Sequence, residues 1–462
     1  MSKSNPASTM ADLPDGLPKP RRFYAAATLL AAIAITVLDA TMSNVALPTI
    51  AQELNIPASS VVWVAIAYSL TIVMTLLPLS AIAERIGMGR MFATGMTVFL
   101  LSSLGAAFSQ DFTTLIMARV AQGLGSSMLM CLFGGLVRNI YPLRRLAMGL
   151  SLNAMVVSLT AVLGPSMGAF LLDYASWRWM FFINVPICLL SWFGVRHLPR
   201  VPRNPRPFDW YACLLSLPVF GLSILGLDLI ASQPLWAVAC LLTAFTCGWI
   251  LIKRSLGQAE PIVPVDLLRI TPVAYAVGAS AFSFASQMSS VVALPFFFRQ
   301  VMGYSYTEIG LMLGTWSLGV GIMAPISAWL SGRISIALMC ATGAGAMALG
   351  TTALLFYDAQ TPYGFVLISM VLGGFGFGLF QTPNNRALLA GVPRHRSSAA
   401  GGMQATVRVY GQSFGTALVA LGFALGQEHG PSLGVAVAAL CASGALIINI
   451  ARHRNPASDP QL

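Results

Sequence analysis

Only three of the 462 residues are lysine, four are histidine, and charged residues of all kinds make up 9% of the chain. Soluble proteins carry about 25% charged residues, so a water-soluble globular domain is excluded. None of the lysines (Lys3, Lys19, Lys253) follows a glycine. A GxxxxGK[ST] phosphate loop is therefore absent, and with it an ATP-driven pump. The seven cysteines (Cys131, Cys188, Cys213, Cys240, Cys247, Cys340, Cys441) lie in apolar stretches with no CxxC pair. Packing is their expected role; neither a disulfide framework nor a zinc site is expected. His197, His395, His429 and His453 stand singly in loops or at the ends of apolar runs, which speaks against haem or metal ligation inside a membrane. No catalytic residue, cofactor or metal is assigned, and the chain is not expected to be an enzyme.

What fills the sequence is apolar: 56% of residues are hydrophobic, and the mean hydropathy is +0.76. They form fourteen stretches, near 24–48, 60–82, 91–109, 112–137, 146–172, 179–198, 209–230, 234–252, 273–298, 307–329, 334–356, 362–385, 399–426 and 431–451. A helix needs roughly 20 residues to cross the hydrocarbon core. In lipid the backbone must satisfy its own hydrogen bonds, so an all-α polytopic membrane protein is expected.

The net charge of +11 would suggest nucleic acid in a soluble chain. Here 22 of the 26 Lys and Arg residues fall in the tails and in alternate gaps between spans. Arg178 and Arg299 lie in the other gaps, and Arg119 and Arg408 lie well inside spans. The positive-inside rule places both termini in the cytoplasm and requires an even number of spans. The charge is a topology signal, and no nucleic-acid partner is expected. Arg21-Arg22 ahead of an apolar run resembles a twin-arginine signal, but that run is too long for a cleaved leader and thirteen more follow.

Loop composition divides the spans. A cytoplasmic tail covers 1–23, and the first six spans occupy 24–198. The Pro- and Arg-rich segment 199–208 and the segment 253–272 bracket two inserted spans in 209–252, and six more spans fill 273–451 before the tail 452–462. PLSA at 78–81, late in the second span, is echoed by PISA at 325–328, late in the tenth. In register with the six-two-six plan, the echo points to a repeat that places a substrate site near mid-membrane between the halves.

Four motifs occur in order: LDATMSNVALPTI (38–50), AERIGMGR (83–90), ARVAQGLGSSM (118–128) and GPSMGAFL (164–171). With PNNRALLAGVPRHRSSAAGGMQATVRVYGQSFGTAL (383–418), they make the chain resemble the major facilitator superfamily, in its fourteen-span drug:proton antiporter family. The resemblance implies two six-helix bundles plus two inserted helices. It also implies proton coupling at Arg119, a conformational latch in the loop after the second span (Glu84, Arg85, Gly87, Arg90), and an antiporter motif in the fifth (Gly164, Pro165, Gly168). The loop departs from the family pattern: Ser80 replaces its first Gly, Glu84 its Asp, and Met88 and Gly89 two basic positions. Ala169 replaces the second Gly of the antiporter motif.

The residues carry readings of their own. Asp39 lies about 13 Å below the outer end of the first span, where a lone carboxylate must be neutralised, paired or wetted. Thr36 and Ser43, at i−3 and i+4, extend a polar stripe on the same face; it serves either a structural hydrogen-bond pattern or a cavity-facing proton site. Arg119, about 10 Å from the outer end of the fourth span, matches Asp39 in depth, and the two form either a coupling pair or a purely structural one. Gly164 and Gly168 permit close helix approach and Pro165 a kink. Arg408, about 14 Å from the inner end of its span, meets no mid-membrane carboxylate in the second half; it binds an anionic group or pairs across the bundle. Asp228 reads as interfacial. Asn44, Tyr68, Gln122, Gln287 and Trp316 complete the candidate cavity with Thr36, Ser43 and Arg408.

The expected function is proton-coupled export of hydrophobic, drug-like compounds by alternating access, in a plasma membrane of bacterial inner-membrane type. The expected partners are a small-molecule substrate, protons and the bilayer, with a monomer as the working unit. Carriage of organic anions or metabolites is the alternative within transport, and a membrane receptor or scaffold the alternative outside it. Reporter fusions test the topology: those near Pro202 and Arg394 should report cytoplasm, those near Asp358 and His429 the exterior. If the spans in 209–252 fail to cross, the six-two-six plan falls.

Overall fold

The computed structural model describes residues 15–56, 61, 63–201, 209–230, 233–258, 261, 263–393, 396–426 and 429–455. Among these, fourteen long helical segments follow one another. They are α1 (Lys19–Glu53), α2 (Trp63–Ile86), α3 (Met88–Ala107), α4 (Phe112–Ile140), α5 (Leu146–Tyr174), α6 (Trp179–His197), α7 (Trp210–Leu229), α8 (Pro234–Leu256), α9 (Thr271–Gln300), α10 (Tyr306–Leu330), α11 (Ile336–Leu354), α12 (Tyr363–Ala390), α13 (Ser397–Gly426) and α14 (Gly430–Arg454). Twelve are long and apolar enough along their described residues to cross a membrane; the other two, α5 and α13, run 29 and 30 residues. α6 is composite, with a short first helix, a longer second and a 3-10 turn at its end.

Helix ends form where polar residues relieve orphan backbone groups. Asp111 accepts from the Thr114 N–H at 2.9 Å to start α4. Ser305 and Glu308 form a reciprocal capping box at α10. Gly87, at φ +98°, makes the tight turn between α2 and α3, where a side chain would be strained. The first helix begins at Lys19 rather than near residue 24, because Pro20 in its first turn fits the helical φ. The expected tail 1–23 is thus docked in part: Leu17 N–H donates to the Ile140 carbonyl at 3.0 Å, and Arg21 reaches the carbonyls of His197 and Leu198. Residues 1–14, 202–208 and 456–462, parts of the expected tails and linker, lie outside the described residues.

Packing repeats with a shift of eight helices. α1 contacts α5 and α6, as α9 contacts α13 and α14; α4 contacts α2 and α3, as α12 contacts α10 and α11. Between the halves, α5 packs most extensively on α10, and α13 on α4 and then α2; the α2–α13 and α5–α10 contacts are equivalent under the same shift. The inserted pair α7–α8 lies outside this frame, with α7 against α2 and α13. Leu235, Trp236, Phe245 and Trp249 of α8 are mostly exposed, the surface expected of a helix facing lipid. Asp209 caps α7 and takes two hydrogen bonds from Arg254 at the end of α8, at 2.9 and 3.2 Å. Burial would raise its pKa, but the bonds from Arg254, Gln258 and the Ala212 N–H prevail and hold it at about 2.

The two ends of the bundle differ. At the end bearing Lys19, Arg454 and most of the basic residues, here the basic face, one buried apolar cluster runs through both halves. It joins Leu79, Met88, Leu136 and Ile140 to Leu267, Leu388, Ala400 and Met403. At the opposite face the halves keep separate cores, around Met42, Leu115 and Phe181 in one and Leu294, Met312 and Phe377 in the other. The structure is therefore joined across the halves at its basic face.

Glycines make that junction possible. A Cβ at Gly401 would lie 2.8 Å from the Gly135 nitrogen, and one at Gly402 would lie 2.4 Å from the Ser80 Cβ. Ser80, in place of the family glycine, fits because residue 402 has no side chain. Gly401→Val should wedge α13 away from α4. Cys131, fully buried beside this contact, should then be alkylated by a maleimide faster than in the wild type, as measured by mass spectrometry of the Cys131 peptide. Unchanged alkylation with wild-type transport would show that the close approach does not hold this face shut.

Candidate functional site

Asp39 on α1 and Arg119 on α4 meet inside the first bundle. Arg119 Nη1 donates to Asp39 Oδ2 at 2.7 Å, and both side chains are 1% exposed. Neither stands alone. Gln122, one turn from Arg119, accepts from Nη1 at 2.7 Å and donates through Nε2 to Asp39 Oδ1 at 2.7 Å. Asn184 on α6 donates to the same Oδ1 at 2.8 Å. Ser103 on α3 accepts from Gln122 at 2.9 Å and from Asn184 at 3.3 Å, while Arg119 Nε donates to the Val64 carbonyl on α2 at 3.0 Å. The guanidinium lies over the Tyr68 ring, 4.3 Å from its centroid, and Tyr68 shares a 2.8 Å hydrogen bond with Ser126. Five helices, α1, α2, α3, α4 and α6, converge on one carboxylate–guanidinium pair.

The local sequence explains each contribution. Arg119, Gln122 and Ser126 recur at three- and four-residue spacing on α4, so they share one face. Gly123 and Gly125 lie close against α2 and α3: a Cβ at Gly123 would be 2.7 Å from the Tyr68 carbonyl, and one at Gly125 2.7 Å from the Phe99 nitrogen. That close approach brings Tyr68 and Ser103 within reach. A buried ion pair is tolerated only when its remaining lone pairs and protons are satisfied, and the two amides and the Val64 carbonyl do this.

The candidate cavity residues separate into groups. Tyr68 and Gln122 belong to the ion-pair network. Thr36 is buried and donates to the Ile33 carbonyl of its own helix, and Ser43 is buried with an unpaired hydroxyl. Trp316 is buried too, packed on α12 where Gly373 and Gly374 leave room for its ring. These five do not line an open cavity in this conformation. Gln287 and Arg408 are partly exposed, and Gln287 accepts a long 3.5 Å hydrogen bond from Gln412. The side chains of Asn44, Pro165 and Asp228 lie outside the described residues. Gly164 abuts α1: a Cβ there would lie 1.9 Å from Thr41 Oγ1, whereas at Gly168 the nearest atom would be 3.4 Å away.

Glu84 is buried and bonded across the halves. Arg396 Nη1 donates to its Oε2 at 3.1 Å, and the Ala399 N–H in the first turn of α13 donates to Oε1 at 3.0 Å. Its charge therefore sits at the positive end of a helix dipole. Arg396 also donates to both oxygens of Asp266, at 3.1 and 3.2 Å, which ties in the segment after α8. Arg85 donates to the Ala81 carbonyl of its own helix at 2.7 Å, Gly87 makes the turn, and Arg90 is exposed.

Sequence reasoning missed Ser103, Asn184, Arg396 and Asp266. A lone amide inside the apolar run 179–198 was a usable signal for Asn184; a serine among many carries none.

Two pseudo-equivalent six-helix bundles joined at one face, with a charged pair buried in mid-span, define a polytopic membrane carrier. A model for the Major Facilitator Superfamily matches residues 29–416, and the chain belongs to that superfamily of membrane transporters. It is 38% identical over 449 residues, 96% of its length and 98% of the relative's, to the uncharacterized transporter YebQ of Escherichia coli strain K12. The riboflavin transporter RibZ of Clostridioides difficile strain 630 is 27% identical, with 84% of this chain and 86% of that one covered. The multidrug resistance protein Stp of Mycobacterium tuberculosis is 26% identical, with 83% and 72% covered. The fold is also that of the human organic anion transporter MFSD10, at a TM-score of 0.66 and 16% identity, covering 94% of this chain and all of that one.

Asn184→Leu should remove one hydrogen bond to a buried charge, a loss of about 1.5–3 kcal/mol, and lower thermal stability in detergent. Asn184→Ser should recover less than half of the loss, since its hydroxyl is too short to reach Asp39. A melting temperature unchanged in Asn184→Leu would show that Asp39 does not depend on the amide.

Proposed function

We propose that the protein is a proton-coupled exporter of hydrophobic, drug-like compounds, of the fourteen-span drug:proton antiporter kind, with Asp39 and Arg119 as the coupling pair. The observation that supports this most is the Asp39 carboxylate itself: deeply buried, on the helix–helix seam of one bundle, and held by an arginine on a different helix. A carboxylate so placed takes up a proton when the arginine withdraws and gives it up when contact returns. Rocking of the bundles changes that contact, so proton loading is linked to which face is open. Each proton moving inward supplies about 2.3 kcal/mol per 100 mV of membrane potential, in addition to the pH gradient.

In this cycle the basic face is cytoplasmic, both termini are inside, and the membrane is the bacterial inner membrane. The Glu84–Arg396–Asp266 cluster and the Glu84 bond to the start of α13 form the latch of the outward-facing state. Breaking them opens the cavity inward, where the deprotonated carrier takes up substrate. Protonation of Asp39 from outside then accompanies release. The similarity to a multidrug resistance protein supports the drug-like substrate class. Carriage of an anionic metabolite is the second reading, favoured by the deep, partly exposed Arg408.

Efflux from vesicles under an imposed pH gradient tests the coupling. Asp39→Asn should lose uphill efflux by more than about tenfold, the loss of one strong charged contact, while keeping downhill movement of neutral substrates. Arg119→Ala strands a buried carboxylate, at a cost of about 3–5 kcal/mol, and should be at least as damaging. Arg119→Lys keeps the charge without the fork and should rescue only in part. Uphill efflux at the wild-type rate in Asp39→Asn would remove Asp39 as the proton carrier.

A further inference from the structure

Arg408 is the deep charge that the coupling pair does not use. It lies eleven residues into α13, about 16 Å from the helix start, and is partly exposed. Among the described residues it makes no hydrogen bond and no ion pair. Nor is an acid left to take it: all nine carboxylates with described side chains are engaged elsewhere. Asp39 is held by Arg119, Glu84 and Asp266 by Arg396, Glu53 by Arg178, Asp15 by Arg138 and Asp209 by Arg254. Asp111, Glu308 and Asp358 serve helix caps and a turn.

The faces of α13 fix where Arg408 stands. Met403, Thr406, Val407 and Tyr410 line an almost wholly apolar pocket of about 190 Å³ beside Phe220 of the inserted pair. Gly401 lies against α4 of the other bundle, and Arg408, seven residues on, shares the face of Gly401 rather than the pocket face. Counting along the antiparallel pair α4 and α13 from the Gly134–Gly401 contact, Arg408 is roughly 12 Å nearer the basic face than Arg119. Gln404 and Gln412 stand one turn to either side of it. On α9 the neighbours of α13 at this level, Ala281, Phe284 and Ala285, are apolar. One deep pair is thus neutralised inside the first bundle, while the guanidinium on the α4-facing side of α13 has no acid beside it among the described residues and stands among amides and apolar walls.

We propose that Arg408 binds the anionic group of the substrate, so that the preferred cargo is a hydrophobic, aromatic compound with one carboxylate or sulfonate. This rests on the exporter reading above, and it narrows the substrate class. A guanidinium stays charged at all working pH values and presents a planar fork that matches such a group. With no acid at hand among the described residues, the substrate supplies the counter-charge that a deep cation requires. A lipophilic cation meets net positive charge between the bundles and is disfavoured. The interior-negative membrane potential also favours outward movement of an anion.

The full chain in lipid nanodiscs, titrated with 1-pyrenebutyrate and with the uncharged 1-pyrenebutyramide, tests this, with empty nanodiscs subtracted. Wild type should bind the acid at least about tenfold more tightly than the amide, the worth of a charge-assisted contact. Arg408→Gln should bring the two within about twofold by weakening the acid alone, and Arg408→Lys should keep part of the preference. The proposal is overturned if wild type shows no acid preference, if Arg408→Gln retains it, or if Arg408→Gln weakens both probes equally, which a structural role would do. Should Arg408→Gln fail to fold, the wild-type comparison and Arg408→Lys decide the matter. Acid preference that persists while efflux ignores the pH gradient would sink the proton-coupling reading and leave this one standing.

Discussion

A carboxylate and a guanidinium buried in a membrane protein must find each other or be hydrated, because isolated charge in a low-dielectric interior costs several kcal/mol. The arrangement of the first bundle follows from that constraint. Asp39 and Arg119 are on helices α1 and α4, and satisfying their remaining valences draws in Gln122, Asn184, Ser103 and the Val64 carbonyl. The glycines at 123 and 125 then have a reason to be small: α4 must lie close enough to α2 and α3 for these short side chains to reach. Packing of the bundle and chemistry of the site are one design.

The second bundle is built on the same frame and chemically unlike it. α9 to α14 repeat the contacts of α1 to α6, but the equivalent of the ion pair is absent among the described residues. In its place stand hydroxyls bonded to backbone carbonyls, such as Ser286 to Ala438 at 2.7 Å and Ser289 to Gly415 at 3.1 Å, and Arg408, which meets no acid among the described residues. The asymmetry is one of charge: one half buries a carboxylate paired with an arginine, and the other carries a deep guanidinium with no acid beside it among the described residues. The bundles meet at the basic face through glycine contacts and the Glu84–Arg396–Asp266 cluster. Both kinds of contact depend on short distances, so a small rotation breaks them together, which is what a two-state junction requires.

Much of this was legible beforehand for a simple reason. Lipid allows few solutions to backbone hydrogen bonding, so apolar run length translates into helices almost directly. The boundaries shift by a few residues, most at the ends on the basic face, as where the first helix starts at Lys19 and the twelfth runs on to Ala390. The depth match of Asp39 and Arg119 was visible too, since helical rise is constant and both runs had readable ends. Arg396 was not: in the sequence it is one more basic residue in a loop, and only the approach of α13 to α2 makes it the partner of Glu84. Trp316, Thr36 and Ser43 had the composition of cavity residues, yet the space they occupy is filled by packing.

The sequence by itself determined that the chain crosses a membrane many times, which charges lie deep, and that its two halves share a plan. Those properties are one-dimensional, set by run length, hydropathy and spacing. The tertiary structure decided which deep charge is paired and which meets no acid among the described residues. It also decided which face is joined, and which small residues matter because another backbone lies within 3 Å. These depend on contacts between helices 80 to more than 300 residues apart in the chain, and no local pattern encodes them.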